Sequence, residues 1–445
     1  MSKKSVALGA SAVLIGASYV SFGSTGLVQA QQHQSGYSLN NPPHVAGATH
    51  KYAGQSVTFY GDGVGIGHNT EMALANRFTK DTGIKVKVVI KPQDSNAAYS
   101  AYERLFGAKS SNFDVMMLDV VWPGSFANFL VNLKPVLGSN TSRYYSSIIA
   151  NNTVGGHLVG IPYFSDFGML YYRKDLLTKY HISSPPTTWE MLQKDAKKIQ
   201  AGEQKKSKSF YGFVFQGKAY EGLTCNALEW IASAGGGTII QNGKITLNNP
   251  KAAKILDLIH GFVGTISPRD VTTYTETESD NAFNNGQAAF LRNWPYAYAV
   301  AQAKGSKIKG KVGVAQLPHE AGGQSSGTVG GWQLGVSKYS KHVKAAEEFV
   351  KYMTGPQVST WRAVVGSYTP SMPSEVHIPA VLKAMPFLRT AGNEQRVTRP
   401  SRFLGTNYNQ ASNIFWTSVS QILNGSPASS VLPNTQTQLQ RLLQH

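Results

Sequence analysis

Residues 56–118 alternate in character at the spacing of secondary structure, and that alternation limits the folds open to this chain. Ser56-Val57-Thr58-Phe59-Tyr60 is a strand-like run, followed by a loop with glycine at 61, 63, 65 and 67. A helical pattern spans Asn69 to Lys80, closed by the turn Asp81-Thr82-Gly83. Residues 84–90 are rich in Val and Ile and read as a second strand, and a helix is expected over about 95–109. Phe113-Asp114-Val115-Met116-Met117-Leu118 is the continuously apolar kind of strand that a parallel sheet buries on both faces. Strand–helix alternation of this kind predicts an α/β lobe. Ligands of open α/β sheets sit beyond the C-terminal ends of the strands. The glycine loop 61–67, Asp119 and Trp122 therefore fall on one rim.

The pattern changes in the middle of the chain. His157-Leu158-Val159-Gly160-Ile161-Pro162 reads as an extended crossing segment, and Gly168-Met169-Leu170-Tyr171-Tyr172 starts a new run of elements. Helices are expected over 189–202, 221–234, 250–264 and 278–286, and an amphipathic one over 343–353. Three Trp-bearing stretches lie far apart: 118–124 with Trp122, 285–298 with Trp294, Tyr296 and Tyr298 beside Arg292 and Asn293, and 330–333 with Trp332. They converge only if the chain folds around a cleft. Flat aromatic faces beside hydrogen-bonding side chains suit a ligand with an apolar ring face and a rim of hydroxyls, which is a sugar. Trp189 and Trp230, with Phe349 and Tyr352, sit in helical patterns and read as core.

With 445 residues, 41% hydrophobic and 15% charged, the chain is long enough for two or three domains and builds real cores. Residues 1–30 read as a secretion signal, with Lys3 and Lys4 before an apolar stretch over 5–22 and small residues before a cleavage point after Ala30. No cysteine lies at the end of that stretch to take a lipid, so a protein exported without lipid attachment is expected. Residues 31–50, rich in Gln, Asn, His and Pro, read as a flexible tether. Cys225 is the only cysteine; this excludes an intramolecular disulfide and argues against a Cys-based metal site, and Cys225 itself reads as a small buried residue. The net charge of +18 suggests nucleic acid. Against that, the basic residues are dispersed, with modest clusters at Lys205–Lys208 and Lys304–Lys311, and an exported protein seldom meets nucleic acid.

The glycines at 61, 63, 65 and 67 imitate a dinucleotide loop but miss its spacing, and no Lys-Ser/Thr pair follows for a nucleoside triphosphate. Glu71 is either an exposed first-turn carboxylate favoured by the helix dipole or a ligand contact. Asp119 and Asp166 both follow apolar strand-like segments. They suit the carboxylate pair of a glycosidase or two acceptors for sugar hydroxyls, and sequence spacing leaves both open.

Several blocks in one order resemble the extracellular solute-binding proteins of ABC sugar importers, in particular the trehalose/maltose-binding group. They are 118–124, Tyr171 to Leu177, Pro185 to Trp189, Gln216 to Leu223, Arg292 to Tyr296, and Gly330-Gly331-Trp332. The resemblance implies a two-lobed type II periplasmic-binding-protein fold with hinge-connected α/β lobes and a central ligand cleft. Residues 51–162 and 333–368 would form the N-terminal lobe, and 163–332 and 369–445 the C-terminal lobe. It implies a disaccharide ligand, membrane permease subunits as partners, a monomer, no cofactor and no catalysis. The residues it assigns to sugar are Asp119, Trp122, Phe164, Asp166, Trp294, Gly331, Trp332, Arg399 and Glu71. Phe164 stands where the family often has Tyr, so one hydroxyl contact is missing there.

Overall fold

The computed structural model describes residues 36–390 and 394–444. The proposed signal segment lies outside them. The chain runs through β1 (Ser56–Gly61), α1 (Gly67–Thr82), β2 (Lys85–Ile90), α2 (Ser95–Gly107) and β3 (Val115–Asp119). β1 pairs in parallel with both β2 and β3, giving the alternating lobe expected from the sequence. All five residues of β3 are buried, which accounts for its unbroken apolar character. Two chemical signals set the helix ends. The Asp94 carboxylate caps α2 by accepting from Asn96 N (2.9 Å) and Ala97 N (3.1 Å). α1 stops at Gly83, whose φ of 74° suits glycine.

The chain then crosses through β4 (Ile161–Phe167) into β5 (Met169–Arg173), α3 (Trp189–Glu203), β6 (Tyr211–Val214), α4 (Glu221–Ser233) and α5 (Pro250–His260). α6 (Glu276–Asn284), β7 (Ala288–Asn293) and β8 (Val312–Ala315) follow. A second sheet forms in the order β8-β5-β7-β6. In α4 every residue but Ala232 is buried, because the helix is packed on several sides. Trp189 and Trp230 are fully buried beside these elements, as their helical spacing predicts.

The return crossing is β9 (Ser326–Val336), which runs antiparallel to β3 and to β4. α7 (Val343–Met353) then packs on the first sheet, with Phe349 edge-on to Phe59 and Phe78, and α8 (Pro356–Gly366) packs against α1 and α7. β10 (Gln395–Val397) adds to β9, and α9 (Tyr408–Leu423) and α10 (Ala428–Leu442) close against α5. The result is the two-lobed α/β fold, with the crossing strands paired between the lobes.

One expectation is corrected. The described part of the segment read as a tether, residues 36–50, is docked on the first lobe. The buried Trp361 indole donates to Ser38 O (3.1 Å) and Asn41 O (3.0 Å), and Tyr352 Oη donates to Pro43 O (3.1 Å). Polar, proline-rich composition predicts solvation. Here its free carbonyls instead satisfy donors that the lobe would otherwise bury unpaired.

Candidate functional site

A cavity of about 660 Å³, its open mouth included, lies between the two sheets and against the crossing strands. The first lobe supplies Asp62 just beyond β1, Lys91 just beyond β2 and Asp119 at the end of β3. All three stand at C-terminal strand ends, where an open α/β sheet puts its ligand. Lys91 is 1% exposed, with its ammonium 4.2 Å from the Trp332 ring and 3.8 Å from Asp62 Oδ1. Asp119 Oδ1 accepts from Arg399 Nη2 at 2.9 Å.

The second lobe supplies Trp294, Tyr296, Glu221 and Glu276. The Trp294 indole donates to Glu276 Oε1 (3.3 Å), and the Arg292 guanidinium lies 4.0 Å from its ring centroid. Glu221 takes Arg399 Nη1 (2.8 Å) and the Ser412 hydroxyl (2.6 Å), and also bonds Tyr408. Arg399 thus joins Asp119 of one wall to Glu221 of the other. The crossing strands supply Phe164, Asp166, Gly330, Gly331 and Trp332, with Tyr368 alongside.

Asp166 is buried to 7% exposure and its Oδ1 has no protein partner. Burial, with Asp62 adding and Arg362 and Arg292 opposing, pushes its carboxyl up to about 8. Arg399 Nε and Tyr368 Oη are likewise buried at the cavity without a partner. Unpaired buried groups are costly, so this lining is built to hydrogen-bond something that enters. Among the described residues, no group of three or more His, Cys, Asp or Glu is placed to hold a metal ion.

Seven of the nine residues expected to meet a ligand line the cavity: Asp119, Phe164, Asp166, Trp294, Gly331, Trp332 and Arg399. The other two need correction. Trp122 is 3% exposed and packs edge-on behind Trp332 at 5.5 Å, braced by Tyr99 and Tyr102. It braces Trp332 from behind and does not line the cavity. Glu71 is neither exposed nor at the cavity. It tucks under the loop after β1, where its Oε2 accepts from Asp62 N at 2.7 Å. Burial and then the Asp62 carboxylate push Glu71 well above the usual carboxylate range. Gly331 lines the cavity, but its close approach is to protein: at φ 114°, a Cβ there would lie 2.5 Å from Phe164 O.

Sequence reasoning missed Asp62, Lys91, Glu276 and Tyr368. The strand-end rule, applied to β1 and β2 as it was to β3, points to Asp62 and Lys91. Glu276 and Tyr368 carry no local signal, since only the three-dimensional approach of α6 and of the segment after α8 brings them in. Cys225 is buried, as expected, and borders the cavity.

A family model described as bacterial extracellular solute-binding protein matches residues 65–359. A "Probable ABC transporter-binding protein" of Deinococcus radiodurans is 47% identical over 377 residues, covering 84% of this chain and 90% of that protein. Among solved structures, maltose-bound T. maritima MalE3 matches with a TM-score of 0.82 at 33% identity, covering 87% of this chain and 99% of the other. The GacH receptor of Streptomyces glaucescens, solved unliganded and with acarbose, matches with a TM-score of 0.76 at 25% identity, covering 88% and 98%.

Proposed function

Because this chain belongs to the bacterial extracellular solute-binding protein family, we propose that it captures an α-linked disaccharide, trehalose or maltose, and delivers it to the permease of an ABC importer. Members of the family bind solutes and are not enzymes, so the glycosidase reading of Asp119 and Asp166 falls. The observation that carries the sugar reading is the lining: two indoles, Trp294 and Trp332, face a cavity rimmed by Asp62, Asp119, Asp166 and Glu276. Indole faces take the apolar face of a pyranose, and carboxylates take its hydroxyls. The maltose found in the MalE3 relative, at 33% identity, supports the same class of ligand.

Capture proceeds by hinge closure. A sugar that touches both walls binds the closed arrangement better than the open one and shifts the population toward it. Bonds that span the cleft support this reading, as ties that would hold the closed arrangement. Lys218 pairs with Asp94 at 2.7 Å, Glu221 N donates to Asn96 Oδ1 at 2.8 Å, and Thr277 Oγ1 donates to Gln93 Oε1 at 3.1 Å. The family's extracellular placement accords with export, and among the described residues no helix is long and apolar enough to cross a membrane. The protein acts as a monomer that presents both lobes to the permease.

The test is calorimetric titration of the purified chain, unfolded and refolded to remove endogenous sugar, with trehalose, maltose, sucrose and glucose. One-to-one binding of trehalose or maltose, recovered intact, is expected. Silence toward both overturns the ligand assignment, and hydrolysis products overturn the binding-protein reading.

A further inference from the structure

Arg292 stands next to the cavity without lining it, and its surroundings are unusually constrained. It is the penultimate residue of β7 and is 1% exposed. Its Nε donates to Glu229 Oε2 at 2.8 Å, its Nη2 donates to Glu229 Oε1, and its Nη1 donates to Gln216 Oε1 at 3.0 Å. Gln216 answers by donating from Nε2 to Arg292 O at 2.9 Å. The guanidinium carbon is 4.0 Å from the Trp294 ring centroid, so the ring rests on a fixed, planar cation.

The same ion pair reaches both crossing strands. Glu229 Oε1 accepts from Thr328 N, in β9, at 3.1 Å. At Gly168, between β4 and β5, an added Cβ would lie 1.9 Å from Glu229 Oε1 and 2.6 Å from Arg292 Nη2. At Gly330, an added Cβ would lie 2.9 Å from Trp294 Cζ3. The crossing strands thus leave space on one side for the ion pair and on the other for the indole.

A buried ion pair is weak evidence for stability, since a well-packed apolar pair of similar volume often serves as well. What an apolar pair cannot supply is a flat guanidinium, forked onto one carboxylate, under one face of an indole. We infer that Arg292, held by Glu229, is a positioning residue that fixes the orientation of Trp294 as a sugar-stacking platform and ties that orientation to the two crossing strands. The assignment rests on the proposed sugar reading of Trp294.

The experiment is a double-mutant cycle with maltose as the probe, using Trp294→Ala, Arg292→Lys and their combination, with thermal midpoints as the folding control. Arg292→Lys keeps the charge and loses the plane. It is expected to weaken maltose binding about tenfold, and to cost less than about twofold once Trp294 is already Ala. An equal cost in both backgrounds overturns the assignment. The pair Arg292→Met with Glu229→Leu keeps volume without leaving a lone buried charge, and wild-type affinity in that variant also overturns it.

A sugar-free readout separates this inference from the ligand reading. The near-ultraviolet circular dichroism contributed by Trp294 is obtained by difference from Trp294→Phe. Its collapse in Arg292→Lys is expected, and its persistence overturns the positioning role whatever the titrations give. Wild-type maltose affinity in Trp294→Ala would instead fail the platform reading itself.

Discussion

A carboxyl group 7% exposed, with one oxygen unbonded, is stable only if it holds a proton or meets a donor, and Asp166 is in that position. Its carboxyl is pushed up to about 8, above the ordinary Asp range near 3.9, so the free protein carries the proton at neutral pH. The sign follows from linkage. Between those two values the unfolded chain is deprotonated and the folded one is not, so stability falls as pH rises. Relative to Asp166→Asn, the wild type is expected to lose about 1.4 kcal/mol per pH unit across that window, read from urea unfolding. A pH-independent difference would refute it. On the proposed reading, sugar hydroxyls donating to Asp166 would favour the anion. Maltose binding should therefore release a proton and tighten from pH 6 to 8, and this trend should vanish in Asp166→Asn. Trp294→Ala is expected to weaken binding about 30-fold or more with the fold intact, and an unchanged isotherm would reject the platform. Both side chains were singled out in the sequence because each follows an apolar run; Trp294 does stand right after β7, whereas Asp166 lies within β4, near its end. Glu71 and Trp122 sit in equally suggestive places. Their burial depends on a loop folding over α1 and on Trp332 packing edge-on in front, neither of which is a local property.

At the scale of elements, hydrophobic period carried most of the information. The strands at 56–61, 85–90 and 115–119 and the helix at 343–353 fall where alternation and amphipathic spacing put them. Segment 36–50 was not legible, because its role is to offer backbone carbonyls to Trp361 and Tyr352, and composition says nothing about carbonyls. The paired glycines of β9 show how one element serves two ends. Gly331 has φ 114° and faces Phe164 O, so Gly331→Ala meets both backbone strain and a backbone collision. A loss on the order of 2 kcal/mol or more is expected in urea unfolding, and wild-type stability would show that the crossing can relax. Gly330 is absent from the positive-φ residues, and the nearest atoms to its added methyl all belong to the Trp294 ring, from 2.9 Å. Gly330→Ala should therefore cost affinity more than stability. The reverse order in the two variants would disprove this division of labour.

For the whole molecule, the question is what holds the lobes together across the cleft once the sugar is in. Two kinds of tie are present, and their magnitudes differ. Arg399 bridges Asp119 and Glu221 in the interior, where removing one partner leaves charge buried and costs about 3–5 kcal/mol. It is therefore inseparable from the site itself. The Lys218–Asp94 pair sits at the mouth, with the lysine side chain 42% exposed and the carboxylate 24%. Such pairs contribute roughly 0.2–1 kcal/mol, and salt screens them. Asp94 also caps α2 through its other oxygen, so the informative change is on the lysine side. Lys218→Ala removes no contact with the proposed ligand and no helix cap. If capture works by the proposed closure, it should leave association nearly unchanged and speed sugar release by up to about fivefold at low ionic strength, since an open arrangement would lack the pair. Near 1 M salt, where the screening length falls to about 3 Å, the difference from wild type should shrink. Stopped-flow dissociation of maltose at both ionic strengths measures it. A release rate that matches wild type at low salt would mean that the interior bridge and the sugar alone hold the lobes closed.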